Sequence, residues 1–289
     1  MAIDVLLATA LAMTLAAGSS QRLLIQHDIP YRDTEDVRQT LDVYAPEGAQ
    51  DAPLLVFVHG GGLLFGDKSL VAHVGQRLAA AGIVTVAPNH RFSPAVTHPA
   101  HVEDVAAAVA WAVDHAREIG ADPDRVVLAG HSSGGYLVAL LATDPRWLEA
   151  AGVARDAIRA VAPISGFFHV PRLAPERPQT VWGGEPAHWS DASPAAHVDA
   201  EVPPMLLLFA DGDDDARKAE NTDFAAALRA AGAPAPRLIE VRRRDHRTIF
   251  YTLNTPGDPS MTALIEFVTT QTCPSGTCPS GTCPSGTGC

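Results

Sequence analysis

Gly130-His131-Ser132-Ser133-Gly134 sets one hydroxyl among residues small enough for a very tight turn. Before it lies Arg125–Ala129 (RVVLA), a short apolar run of strand character, and Ser132–Thr143 reads as helix. A sharp strand-to-helix turn needs small neighbours, because a Cβ there would meet adjacent backbone. Such a turn lifts the Ser132 hydroxyl above a sheet at a helix N-terminus. Free N–H groups and the helix dipole at that place favour a developing negative charge. The chemistry implied is nucleophilic attack by Ser132 on a carbonyl carbon. The plainer reading, a Gly/Ser-rich helix cap, leaves the groups described next without a purpose.

Attack on a carbonyl creates a tetrahedral oxyanion, which needs two or three backbone donors. His59-Gly60-Gly61-Gly62 follows the apolar run Pro53–His59. Consecutive glycines let a chain approach closely and turn its N–H groups inward. The donors are assigned to Gly61, Gly62 and Ser133. A phosphate cradle would carry Lys and Ser/Thr directly after its last glycine. Here Leu63-Leu64-Phe65 follows, which suits an apolar pocket wall better.

A serine hydroxyl is too weak an acid to attack unaided, so a base is required. His246 is the one histidine beyond Asp211, in a loop after the last strand-like run, Arg237–Val241. A carboxylate could come from Asp211-Gly212-Asp213-Asp214-Asp215, which ends another apolar run, Met205–Ala210. Spacing alone leaves Asp211, Asp213 and Asp214 open, the others serving as helix caps.

These groups need a frame. Pro53–His59, Ile83–Pro88, Arg125–Ala129, Ala160–Ile164, Met205–Ala210 and Arg237–Val241 are short and mostly apolar, as in strands covered on both faces. Helical patterns alternate with them: Lys68–Ala81, Pro99–Ile119, Ser132–Thr143, Asp215–Ala231 and Met261–Thr270. The alternation predicts an α/β fold with a mostly parallel sheet and helices on both faces. An Asp-Pro-Asp turn at Asp122–Asp124 should lead into the third strand. Leu23–Tyr44 should supply antiparallel edge strands. Phe167–Ala200 lacks periodicity and could be a cap or loops over the site.

These residues resemble the α/β-hydrolase superfamily, in particular the esterases with an HGGG loop. Hormone-sensitive-lipase-like esterases, feruloyl and acetyl-xylan esterase-type domains and kynurenine formamidase-like proteins share the pattern. The resemblance runs from about Ile29 to Val268. It takes in Leu41–Pro46 (LDVYAP), His59–Gly62, Gly66–Ser69 (GDKS), Arg91–Pro94 (RFSP), His98–His101 (HPAH), Gly130–Leu137, Ile164–Gly166 (ISG) and Arg244-Asp245-His246. It implies the order Ser, Asp, His for the catalytic groups, with His246 as base. It favours Asp213 among the aspartates, through the spacing Ala210-x-x-Asp213. It implies a carboxylesterase acting on small or medium acyl esters without a cofactor. N-formyl amide hydrolysis is the alternative, and a non-catalytic binding homologue is the rival from another class. Ser133 stands where the family commonly has Ala, and Asn89-His90-Arg91 where many members have Asn-Tyr-Arg.

Composition sets the outer bounds. The 289 residues are 47% hydrophobic, enough for one sizeable domain, expected over residues 21–270. A formal net charge of -12 speaks against a nucleic-acid partner. A small-molecule ester or acyl compound is the expected partner, and oligomeric state is not legible. All four cysteines lie at Cys273 and beyond, in repeats of Cys-Pro-Ser-Gly-Thr, so none can staple the domain. The tail over 271–289 reads as disordered, and its five-residue spacing does not match metal clamps. The apolar run Val5–Ala17 is too short to span a bilayer. It resembles a signal peptide over residues 1–20, despite Asp4 and the lack of a basic n-region. A secreted or periplasmic location is therefore expected, with the cytoplasm as the alternative. His98, His101 and Glu103 do not match a metal spacing. Arg242-Arg243-Arg244 could attract an anionic substrate beside His246, although a solvated strand end is the plainer reading.

Overall fold

Apolar runs of the sequence become the middle of one sheet. The computed structural model describes residues 22–172 and 176–273. Its strands are β1 (Leu23–Pro30), β2 (Thr40–Pro46), β3 (Ala52–Val58), β4 (Val84–Pro88), β5 (Ala121–His131), β6 (Ile158–Ile164), β7 (Leu206–Ala210) and β8 (Arg237–Val241). They lie side by side in the order β1-β2-β4-β3-β5-β6-β7-β8. β1 and β2 are antiparallel to their neighbours, and every later pairing is parallel. The helices are α1 (Ala72–Ala79), α2 (Ala100–Asp114), α3 (Ser133–Thr143), α4 (Arg146–Ala150), α5 (Glu176–Trp182), α6 (Pro186–Asp191), α7 (Asp215–Ala230), α8 (Thr248–Tyr251) and α9 (Pro259–Gln271). The expected mixed sheet with antiparallel strands at its N-terminal edge is present.

Alternation along β3 shows why its run is apolar throughout. Leu54, Val56 and Val58 enter one core layer, with Val102 and Val105 of α2, Leu137 of α3 and Phe224 of α7. Leu55 and Phe57 enter the opposite layer, with Val74 and Leu78 of α1 and Leu264 and Phe267 of α9. A parallel strand buried on both sides has no polar face to offer. α3 carries this furthest: all its residues from Ser133 to Thr143 are buried.

Several boundaries differ from the sequence expectation, each for a local reason. Lys68–Val71 forms a 3₁₀ turn capped by Asp67, and only Ala72–Ala79 is α-helical. α2 stops at Asp114, and the chain then turns to Gly120, whose φ of +82° and closeness to Ala49 suit glycine. The Asp122–Asp124 turn survives as an irregularity inside β5. The Asp122 carboxylate accepts the Asp124 N–H, and the pairing with β3 jumps from Ala52↔Ala121 to Leu54↔Val126. α3 begins one residue later than expected, because Ser132 is not helical.

Described residues of the Phe167–Ala200 stretch pack on α3 and α7 rather than forming a lid. Phe168 stacks on Phe224 at 4.0 Å. Trp182 Nε1 donates to the Tyr136 hydroxyl, which donates to the Ala192 carbonyl. The leader expected over residues 1–20 and the repeats beyond Cys273 lie outside the described residues.

Candidate active site

Ser132 sits on the turn between β5 and α3 with φ 55° and ψ -118°, a conformation that non-glycine residues rarely hold. Two contacts fix it: its N–H donates to Ile164 O at 2.8 Å, and its carbonyl accepts from Tyr136 N at 3.0 Å. Small neighbours make the turn possible. A Cβ on Gly130 would lie 2.5 Å from the Gly134 carbonyl carbon, and one on Gly134 would lie 2.1 Å from Val58 O. The G-x-S-x-G spacing therefore records a backbone crossing between α3, β5 and β3.

His246 reaches this turn from the loop between β8 and α8. Its Nε2 lies 2.9 Å from Ser132 Oγ, and its Nδ1 lies 3.0 Å from Asp213 Oδ1. A carboxylate only accepts, so the proton belongs on Nδ1, leaving Nε2 to accept from the serine hydroxyl. Asp213 comes from the β7–α7 turn, and its side chain is only 1% exposed, against 35% for His246. Burial pushes the Asp213 carboxyl upward. Hydrogen bonds from His246, from the Ser165 hydroxyl at 2.7 Å and from Ala210 N at 3.0 Å outweigh burial and hold it below the ordinary carboxylate value.

Other aspartates of the run have different partners. Asp211 accepts from Arg243 N and Arg244 N, tying the β7 turn to the β8 turn. Asp214 caps α7 by accepting Arg217 N at 2.8 Å. The structure thus brings Ser132, His246 and Asp213 together and leaves Asp211 and Asp214 away from the imidazole.

The glycine loop flanks the serine. A Cβ on Gly60 would lie 3.1 Å from Ser132 Cβ, and one on Gly61 would fall 1.7 Å from Phe65 O. Leu64 N and Phe65 N both donate to Gly61 O, which closes the loop on itself. Of the three donors expected from the sequence, Gly62 N–H is already engaged, donating to Ser133 Oγ at 2.9 Å. This follows from having Ser rather than Ala at 133. The Ser133 side chain fastens the loop and takes up one of its N–H groups.

Three contributors were not assigned from the sequence. His131 Nε2 donates to the His246 carbonyl at 2.8 Å, and its ring stacks on Phe250 at 5.0 Å, so it holds the His246 loop down. Burial first, then neighbouring His246, pushes its pKa down to about 3, so it stays neutral. Ser165, held at φ 46°, orients Asp213. Both residues stand inside motifs already visible, GHSSG and ISG, but nothing in those motifs states a partner. Arg217 is the third. It lines the cavity above Ser132, for which the sequence carries no signal.

That cavity encloses about 680 Å³. Leu64, Phe65, Leu70, Phe250 and Tyr251 form an apolar wall, and Ser132, His246 and the glycine loop form the floor. Arg217 and Arg247 are the cations lining it. The Arg242–Arg244 cluster does not line it. Arg244 instead bonds Thr252 and the Asp258 carboxylate, and Arg242 and Arg243 are exposed. Described residues of Phe167–Ala200 contribute nothing to the lining. His98 packs edge-on against Trp147 and His101 bonds Ser93 Oγ, so these histidines serve packing.

Comparison with known proteins places this chain in a family. A family model described as BD-FAE matches residues 41–228. Esterase LipQ of Mycobacterium tuberculosis is 30% identical over 262 residues, covering 80% of this chain and 62% of LipQ. This chain therefore spans less than two thirds of that relative. A truncated carbohydrate esterase from gut microbiota superposes with a TM-score of 0.76 at 20% identity, over 89% of this chain and 98% of the other. Esterase B of Lactobacillus rhamnosis superposes with a TM-score of 0.73 at 21% identity, over 86% and 85% of the two chains. At such identities the superpositions speak for the α/β-hydrolase fold. The matched stretch includes the glycine loop, the Ser132 turn and Asp213, and ends before His246; on that match the chain belongs to the BD-FAE family.

Proposed function

We propose that this protein is a carboxylic ester hydrolase acting through Ser132, His246 and Asp213. The observation that carries the reading is the continuous chain of hydrogen bonds from Ser132 Oγ through the imidazole to the Asp213 carboxylate, on the floor of an open, largely apolar cavity. LipQ's description as an esterase agrees with it.

In this mechanism His246 Nε2 takes the Ser132 proton as Oγ attacks the ester carbonyl. Asp213 keeps the imidazole in the correct tautomer and stabilises its charged form. The oxyanion is received by backbone N–H groups of Gly61 and Ser133, with Gly62 joining when Ser133 Oγ gives up its hydrogen bond. His246 returns the proton to the leaving alcohol, and an acyl-Ser132 ester remains. Water then attacks that ester, His246 takes the water's proton, and the acid is released as Ser132 recovers its own.

A test combines turnover with labelling. p-Nitrophenyl acetate and butyrate should be hydrolysed, and a fluorophosphonate should label the folded protein at Ser132. We predict that Ser132→Ala loses the label and at least about 10⁴-fold in kcat. N-formylkynurenine run in parallel separates an amide hydrolase, which would turn it over in preference to the esters. Absence of both turnover and label in a folded sample would leave a binding homologue.

A further inference from the structure

Arg217 is an anomaly in a strongly acidic chain. It stands in the first turn of α7 with its guanidinium at the cavity, where Nη1 donates to the Ser165 carbonyl at 2.8 Å. The group also sits over the Phe167 ring at 5.9 Å. Among the described residues no carboxylate comes within 4.0 Å of it, although Asp213, Asp214 and Glu220 are near enough to act through space. Each of these is committed elsewhere: Asp213 to His246 and Ser165, Asp214 to the α7 cap, and Glu220 to Phe168 N, His169 and Arg172. Burial lowers the Arg217 pKa, the sign of a cation that has lost water without gaining a full partner. A planar guanidinium with one fixed N–H and donors to spare matches a carboxylate. The rest of the lining is largely apolar, from Leu64, Phe65, Leu70, Phe250 and Tyr251, with Arg247 as the other cation.

We propose that Arg217 forms an anion subsite, and that the preferred substrates are esters carrying a free carboxylate within reach of Ser132. This rests on the esterase reading above and narrows it. The carboxylate could belong to the acyl part, as in a half-ester of a dicarboxylic acid, or to the alcohol part. In the first case water adds across the acyl C–O bond to give the alcohol and a dicarboxylic acid. In the second it gives a simple acid and a hydroxy acid.

Two matched pairs of substrates separate these cases with the full chain. The acyl-side pair is mono-p-nitrophenyl glutarate and its terminal primary amide. The alcohol-side pair is p-butyryloxybenzoate and p-butyryloxybenzamide. Spontaneous hydrolysis is subtracted, and each kcat/KM ratio of acid to amide is divided by the corresponding hydroxide-rate ratio. In the native sequence the corrected ratio should exceed about tenfold for one pair, mainly through KM, and that pair identifies the side. Arg217→Met should bring that ratio to about one, and Arg217→Lys should retain part of it, because an ammonium keeps the charge but not the fork. Fluorophosphonate labelling of Ser132 reports whether each variant is folded. If a variant does not fold, the ratios of the native sequence still decide. Ratios within about threefold of one in both pairs, or a preference that survives Arg217→Met, would overturn the subsite. Hydrolysis of the amides without discrimination would remove only this inference. No hydrolysis of any member and no label at Ser132 would remove the esterase reading itself.

Discussion

Asp213 shows how much a single position decides. Three carboxylates stand within four residues, yet one is buried against the imidazole and the others are spent on a turn and a helix cap. Replacing Asp213 by Asn would offer the Nδ1 position a donor where an acceptor is needed and would leave the developing imidazolium without its partner. We predict a fall in kcat of about 10³- to 10⁴-fold for Asp213→Asn, with thermal stability moderately reduced. Asp211→Asn and Asp214→Asn should stay within about tenfold of the native kcat, because neither touches His246. Steady-state kinetics on p-nitrophenyl butyrate checks all three. Equal losses at 213 and 214 would contradict the assignment. The Ser165 hydroxyl and His131 act at one remove: one holds the Asp213 carboxylate and the other the His246 loop.

At the scale of elements, the site depends on how closely α3 is pressed against β3. Gly134 lies in the first turn of that helix, and a Cβ there would sit 2.1 Å from Val58 O and 2.6 Å from His59 O. Both obstacles are backbone, so neither can swing aside as a side chain would. Gly134→Ala must push α3 away from the strand that leads into the glycine loop. It would also disturb the Ser133–Gly62 hydrogen bond, which couples the two. We predict a loss of stability of about 3 kcal/mol or more, read as a fall in Tm of about 6–12 °C, with kcat reduced alongside. Gly152→Ala is the control, since nothing lies within 4 Å of its Cβ position. Its φ of +84° still makes some strain there, so its effect should be smaller but not zero. A Gly134→Ala protein melting within a degree of the native one would show that the helix has more room than the contacts allow.

For the molecule as a whole, buried histidines couple folding to pH. His59 and His90 stack at 4.7 Å behind the glycine loop, and His101 lies edge-on to His90. Burial pushes the pKa of His59, His98 and His101 down to about 4 and of His131 to about 3, and holds His90 well below its ordinary value. These rings stay neutral in the folded chain, whereas in the unfolded chain they take up protons below about pH 6.5. The unfolded state therefore binds more protons, and stability falls as pH drops from about 6.5 toward 4. The depressed carboxyls of Asp67 and Asp213 add a loss in the same direction at still lower pH. We predict that Tm declines steadily across that window and is nearly flat from pH 7 to 8. Calorimetry at pH 5 in buffers of different ionisation enthalpy should show net proton uptake on unfolding. Proton release, or a Tm unchanged down to pH 4.5, would mean that these rings are not held neutral.

Local pattern was enough to name the strands and most helices, because a run buried on both faces must be apolar along its whole length. It was also enough to find Ser132, since the turn that exposes it admits only small residues on either side. His246 needed the order Ser, Asp, His that the resemblance implies, being the single histidine after the aspartate run. The carboxylate stayed open on spacing alone, for a physical reason. Asp211, Asp213 and Asp214 are equivalent in composition and adjacent in the chain, and which one turns inward depends on a distant segment. Asp211 accepts from Arg243 N and Arg244 N, Gly212 N donates to Arg244 O, and Asp213 faces the imidazole. The positions of Arg217 at the cavity, Ser165 behind Asp213 and His131 under the His246 loop likewise came from tertiary packing. Periodicity records which face of an element is dry, but it carries no information on which side chains from separate strands and helices meet.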